Sequence, residues 1–453
     1  MKSFDFVKRE IQNDEVLKSI KTLLNGQKAW LVGGYIRDLF LNIKSFDRDI
    51  VVLSNAQKLA KNIANELEAT LVELDCENEI YRVVLKDKKN YLDISLALDS
   101  NILKDVKRRD FTINSIMFDI SENNFFDPCD GILALEQKKL ICADLNNLSD
   151  DPLRMLRVFR FVSLYDFCVD DNVLEFINNN ADLIKKSAPE RINQELLKFF
   201  GGDFCAKALL LADECNFLNK IFPFVDEIKK IPPNTHHHLD LFHHCVETVK
   251  TVRTNNPLLK LAAFCHDIGK PKTHTVEPSG RHRFIGHDKV GGRLVVPVLS
   301  NLKFSKKQID YVSKMVENHI YPSALMSADE VQDKAKIRFI KKLDPYVKDI
   351  IELARADRLC ARGPMVSEQM VEDNLKNLEK LLDFYNEIKP RLENLPKLLD
   401  GKEIMQILNI KPSPILGKVI EALREAQIEG IVKTKEEALQ FIKDRYESIC
   451  KEM

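Results

Sequence analysis

The chain has 453 residues, too many for one hydrophobic core, so three or four domains are expected. Lys and Arg total 68 against 69 Asp and Glu, a formal net charge of −1, which excludes a uniformly basic nucleic-acid binder and confines any RNA contact to a local patch. The 10 cysteines include no Cys-x-x-Cys pair, which argues against a structural zinc site and for reduced thiols in a cytoplasmic protein. The start, from Met1 to Glu15, is charged and lacks the apolar core of a signal segment, and no apolar run is long enough to span a bilayer.

Residues 1–29 read as a short amphipathic helix leading into a first strand. Between Trp30 and Ile141 strand and helix periodicities alternate, with strands expected at 30–32, 49–53, 70–74, 81–85 and 91–96 and a helix near 55–68, an α+β module. Its organising stretch is Leu31-Val32-Gly33-Gly34-Tyr35-Ile36-Arg37-Asp38, followed by Asp47-Arg48-Asp49. Paired glycines let backbone approach a phosphate with no Cβ in the way and with positive φ available. A helix after them would point amide groups at that anion. On an extended chain Asp47 and Asp49 project to one side. Two such carboxylates repel each other unless a hard cation such as Mg²⁺ lies between them. Alone, a Gly-Gly is ordinarily a turn and an Asp-x-Asp a solvated face; in this order, with Arg37 between, they form a specific set. Asp93, in Tyr91-Leu92-Asp93-Ile94-Ser95, reads by itself as an edge or turn position. Lys107-Arg108-Arg109-Asp110-Phe111-Thr112-Ile113-Asn114 is either a solvated basic turn or a grip on phosphate oxygens.

Residues 150–224 look all-helical. In the run from Asp150 to Arg160, Asp150 or Asp151 is expected to cap a helix with Pro152 in its first turn. Arg154, Arg157 and Arg160 then recur every third residue beside the apolar Leu153, Leu156 and Phe159, the pattern of an amphipathic helix with a wet arginine face. A break falls at Ile231-Pro232-Pro233-Asn234, and all 10 histidines follow it, between His236 and His319. His and Asp ligands spread over several helices suit a transition metal. From Ser367 onward the chain is helical again, and Thr434-Lys435-Glu436-Glu437 has the spacing of a capping box.

The Gly-Gly and Asp-x-Asp set resembles the nucleotidyltransferase head of class II tRNA nucleotidyltransferases and bacterial poly(A) polymerases. Arg-Arg-Asp-Phe-Thr-x-Asn extends the likeness, as do Phe125-Phe126-Asp127-Pro128 with Gly131, the neck-like run from Asp150, Pro189-Glu190-Arg191 and Glu195-Leu196. This resemblance implies that Asp47, Asp49 and a third carboxylate, Asp93, are catalytic, with Mg²⁺ held by Asp47 and Asp49. It implies nucleotide contacts at Gly33, Gly34, Arg37, Arg108, Arg109, Asp110 and Asn114. It makes Asp151 and Arg154 the readers of the base edge, with Arg157 and Arg160 on the same side; a carboxylate accepts from an exocyclic amino group and a guanidinium donates to ring nitrogens or a carbonyl. The histidine-rich part resembles an HD-type metal phosphohydrolase domain. His244, His266, Asp267, His287, His319 and Asp357 would be its ligands for a divalent ion such as Mn, Ni or Co, and His236, His237, His238, His243, His274 and His282 are weaker candidates. The implied layout is a mixed α/β head at 1–145, a helical neck at 146–228, an HD domain at 229–365 and a helical, tRNA-binding tail at 366–453.

The expected enzyme is a cytoplasmic CCA-adding tRNA nucleotidyltransferase with CTP, ATP and tRNA as partners and no membrane contact. The segment 94–107 is shorter than the loop of full CCA-adding relatives, as it is in C-only relatives, so C-only addition stays open. The same motifs also admit a bacterial poly(A) polymerase, or an HD phosphohydrolase with a nucleotide-binding or RNA-binding head.

Overall fold

The computed structural model describes residues 1–451 except 78, 235–237, 329 and 429. The leading segment forms two helices rather than the single one expected, Phe4–Asn13 and Glu15–Leu23. Asp14 causes the break: its extended backbone ends the first helix, and its carboxylate accepts from the amides of Val16 and Leu17 to cap the second. A seven-stranded sheet follows, with order β3-β4-β5-β2-β1-β6-β7. Its strands are β1 Ala29–Val32, β2 Asp47–Val52, β3 Thr70–Asp75, β4 Ile80–Val84, β5 Tyr91–Leu96, β6 Met117–Asp119 and β7 Asn124–Phe126. The first five lie where the periodicity places them. The last two are three residues each, too short to show a period.

Within this sheet β2 and β5 are the parallel pair, and their register sets Asp49 opposite Asp93. Along β2, Ile50 and Val52 enter the main core while Val51 joins a smaller cluster with Trp30, Val32, Val106 and Met117 on the other face. Asp47 and Asp49 share the parity of Val51. Arg48 points the opposite way, where Asp14 accepts from its Nε and Nη2 at 2.9 and 2.6 Å and from the Tyr35 hydroxyl at 2.6 Å. This buried contact helps fix the strand register, because a slip of one residue would carry the arginine to the wrong face.

The neck is helical apart from Cys168–Val169, which pairs in parallel with Lys139–Leu140 and ties the neck to the end of the head. The expected aspartate cap is absent. Asp150 ends a short helix, Asn146–Asp150, Pro152 occupies the cap position of helix Leu153–Tyr165, and the Asp151 carboxylate is taken by Arg191. The arginine face is not wet either: Arg160 is buried and Arg157 is ion-paired. One apolar core runs continuously from the head through the neck into the histidine-rich helices as far as Ile388. The last three helices, Gly401–Leu408, Pro414–Ile428 and Lys435–Lys451, form a second core around Ile404, Val419, Leu423 and Ile442. Thr434 and Glu437 make the capping box foreseen for the last of them. Among the described residues no helix is long and apolar enough to cross a membrane.

Candidate active sites

A cavity of about 430 Å³ opens where the head meets the neck, lined on the head side by Gly33, Gly34, Arg37, Asp47, Asp49, Arg108, Arg109, Asp110 and Asn114. The neck side contributes Arg154, Arg157, Arg160 and Lys198. Gly33 has φ +77°, and a Cβ there would lie 2.8 Å from Asp49 Oδ2, so both backbone conformation and space require glycine. The oxygens of Asp47, Asp49 and Asp93 lie within 4.8 Å of one another. Burial, and then the Asp47 charge, push the Asp49 carboxyl up to about 7 although Arg109 pulls it back. Asp47 is raised too, by burial and by Asp93. A divalent cation would relieve this repulsion, and three convergent oxygens are the hard donors it prefers, so the site fits Mg²⁺.

Asp93 and Asp151, expected to act with these residues, are not among those that line the cavity. Arg82, opposite Asp93 on β4, donates Nε and Nη2 to its two carboxylate oxygens at 2.7 and 2.6 Å. Asp151 accepts from Arg191 Nη1 and Nη2 at 3.2 and 2.8 Å.

The cavity arginines are held in place by their neighbours. Arg37 donates Nη1 to Asn114 Oδ1 at 2.6 Å, donates Nε and Nη2 to Asp38, and lies over the Phe161 ring. Arg108 and Arg109 both bind the fully buried Asp105, from helix Ile102–Lys107. Asp110 pairs with Arg157 at 2.7 Å and accepts from the Asn114 amide at 2.9 Å. Burial opposes the Asp110 charge, but Arg157 and Asn114 outweigh it and hold the carboxyl below its ordinary range. Arg154 donates Nη1 to the carbonyls of Arg108 and Asn147 at 3.0 and 3.1 Å. Arg160 donates to both oxygens of Glu195 at 2.9 and 2.7 Å. Sequence reasoning missed Asp105, Arg82 and Lys198. Asp105 alone left a local signal, since it precedes the arginine pair by one helical turn.

A second cluster lies among the later helices. His244 comes from helix Leu241–Thr251, His266 and Asp267 follow helix Pro257–Cys265, His287 begins helix His287–Asn301, His319 ends helix Lys306–Asn318, and Asp357 lies in helix Val347–Cys360. Gly269 permits the approach, since a Cβ there would lie 2.0 Å from the His287 carbonyl oxygen. The Nε2 atoms converge. His244 is 3.1 Å from Asp357 Oδ1, His266 is 3.2 Å from Asp267 Oδ2, His287 is 3.2 Å from Asp267 Oδ1, and His287 and His319 are 3.3 Å apart. His266, His287 and His319 turn Nδ1 to the carbonyls of Ala263, Phe284 and Val316 at 2.7–2.8 Å. Protonation at Nδ1 leaves the Nε2 lone pairs for a metal. Burial, the largest cause, pushes His319 down to about 4, which keeps it a neutral ligand. The set fits a transition metal.

Of the weaker candidates, His243 contacts the cap residue Asp240, His238 is exposed, and His274 stacks on His282 and Phe284 beside the hairpin Thr275–Val276 and His282–Arg283. His236 and His237 lie outside the described residues.

Three family profiles match in order: the Poly A polymerase head domain over residues 29–141, the "Probable RNA and SrmB- binding site of polymerase A" over 166–229, and the HD domain over 236–362. The chain is 31% identical over 424 residues to the A-adding tRNA nucleotidyltransferase of Deinococcus radiodurans, covering 91% of this chain and 94% of that one. The chain belongs to the tRNA nucleotidyltransferase family, with an HD domain. It is accordingly a nucleotidyltransferase. The CC-adding tRNA nucleotidyltransferase of Thermus thermophilus is 30% identical over 426 residues, 91% of this chain and 93% of that one. The Thermotoga maritima CCA-adding enzyme complexed with tRNA_CCA has the same fold, with TM-score 0.63 at 18% identity over 98% of both chains. So has a CCA-adding enzyme in complex with CTP, at TM-score 0.65 and 19% identity over 98% of both.

Proposed function

We propose that this family member builds the 3′-terminal CCA of tRNA from CTP and ATP, without a nucleic-acid template. The observation that carries the reading is the cavity itself, which sets Asp47 and Asp49 on the head wall against Arg154 on the neck wall. Asp47 and Asp49 would hold Mg²⁺, with Asp93 completing the set once it shares an oxygen with Arg82; the metal supplies activation of the primer hydroxyl and charge stabilisation of the leaving pyrophosphate. Gly33, Gly34, Arg37 and Arg109 take the triphosphate, and Arg108, Asp110 and Asn114 brace the wall on which it lies. Asp151 accepts from the exocyclic amino group that cytosine and adenine share, and Arg154 donates beside it. The tail adds tRNA contacts. The HD cluster would hold a metal such as Mn, Ni or Co for a separate phosphohydrolysis. A cytoplasmic location fits the 10 free cysteines.

A second reading, addition of only part of the triplet, has its own support. The connection after β5 has no long loop: the turn Leu98–Ser100 runs into helix Ile102–Lys107, which Asn101 caps. The Deinococcus and Thermus relatives, matched over more than nine-tenths of their length, are named A-adding and CC-adding. The deciding assay uses two primers. A tRNA lacking CCA plus CTP and a tRNA ending in CC plus ATP are both extended by a full CCA enzyme, whereas extension of only one assigns the partial activity.

A further inference from the structure

We propose that Lys198 binds the β- and γ-phosphates of the incoming nucleotide and stabilises the pyrophosphate as it leaves. This rests on the reading that the head cavity takes a nucleoside triphosphate. Lys198 lies on neck helix Pro189–Gly201, three residues after Glu195, and reaches the same cavity as Gly33, Gly34, Asp47 and Asp49. Six arginines line that cavity, and each is committed: Arg37 to Asp38 and Asn114, Arg108 and Arg109 to Asp105, Arg154 to two carbonyls, Arg157 to Asp110, and Arg160 to Glu195. Among the described residues Lys198 has no hydrogen-bond or ion-pair partner. Desolvation, then Arg160 and Arg157, pull its ammonium below the ordinary lysine range, while Glu195 and Asp47 pull the other way. A cation crowded by cations, with no counter-ion of its own, is matched to an anion that arrives with the substrate.

The chemistry says which part of the substrate. The primer 3′ oxygen forms a bond to the α-phosphorus and its proton passes to solvent water. The bond from that phosphorus to the bridging oxygen breaks, and its electron pair leaves with the pyrophosphate. Negative charge therefore grows on the leaving group, where a fixed cation lowers the barrier. The arginines suit static oxygens held in a fork, whereas a compact ammonium on a flexible stem can follow the departing group.

Binding of magnesium pyrophosphate, read by isothermal titration on the full chain, tests this without requiring turnover. Lys198→Ala should weaken it about ten-fold, the size expected for one charged hydrogen bond, and Lys198→Arg should recover most of the loss. In steady state Lys198→Ala should lower kcat and raise the KM for nucleotide, while the KM for tRNA stays as in the parent. Pyrophosphate affinity within about two-fold of the parent overturns the assignment, as does a loss confined to the KM for tRNA, which would turn the lysine toward RNA. A parent protein that fails to bind pyrophosphate also overturns it. A parent that binds pyrophosphate yet extends no tRNA instead overturns the proposed function, and the Lys198 comparison still stands.

Discussion

Asp49 carries a carboxyl that is costly to ionise in the metal-free protein. Its folded pKa of about 7 lies above the ordinary 3.8, so the folded state holds the proton more tightly than the unfolded one. The sign follows: this group's contribution to stability is present below about pH 4 and lost as pH rises to about 7. A divalent cation held by Asp49 would take the place of the proton. Mg²⁺ should therefore raise the melting temperature more at pH 8 than at pH 6, and Asp49→Asn should flatten that difference; equal Mg²⁺ shifts at both pH values would remove Asp49 from the metal site. Arg191 holds the Asp151 carboxylate, the proposed acceptor for the base amino group, through two hydrogen bonds. Arg191→Ala should relax discrimination against UTP and GTP by about 1–3 kcal/mol, measured as ratios of kcat/KM, with Mg²⁺ dependence unchanged.

Strand β2 shows what alternation alone can reveal. Two aspartates separated by one residue had to share a face, and they do, with Arg48 pinned on the other by Asp14. The turn before helix Gly34–Phe40 was equally legible, because a pair of glycines marks a conformation other residues avoid. Gly33→Ala should cost about 1–3 kcal/mol and suppress nucleotide addition, because its Cβ meets Asp49 and its φ is strained; thermal unfolding and an addition assay check both effects. The partners of the site were illegible for a definite reason. Arg82 meets Asp93 only through the register of β4 on β5, and Arg191 meets Asp151 and Lys198 reaches the cavity only after two neck helices pack. Local sequence carries none of these distances. The aspartate cap failed for a related reason: Asp151 has a stronger long-range partner than the helix amides.

Across the whole molecule, two sites sit on one continuous core with different donors, carboxylates in the head and imidazoles in the HD part. The sets share no residue. Combining His266→Ala and Asp267→Ala should remove metal-dependent phosphohydrolysis and leave nucleotide addition near the parent rate. If the parent releases no phosphate with Mn²⁺, Ni²⁺, Co²⁺ or Mg²⁺, the cluster is structural. The order of parts along the chain was readable because each carries its own motif, and the separate tail core was not, since packing three amphipathic helices leaves no motif. Nucleotide addition to tRNA is assigned to the Asp47–Asp49 cavity as a proposal. Incubating the parent and Asp49→Ala proteins with labelled CTP or ATP and tRNA ending at the discriminator base or in CC tests it most directly. Labelled tRNA is expected from the parent, none from the variant, and equal tRNA binding by both, since phosphate contacts elsewhere would carry that affinity. Near-normal labelling by the Asp49→Ala protein would contradict it.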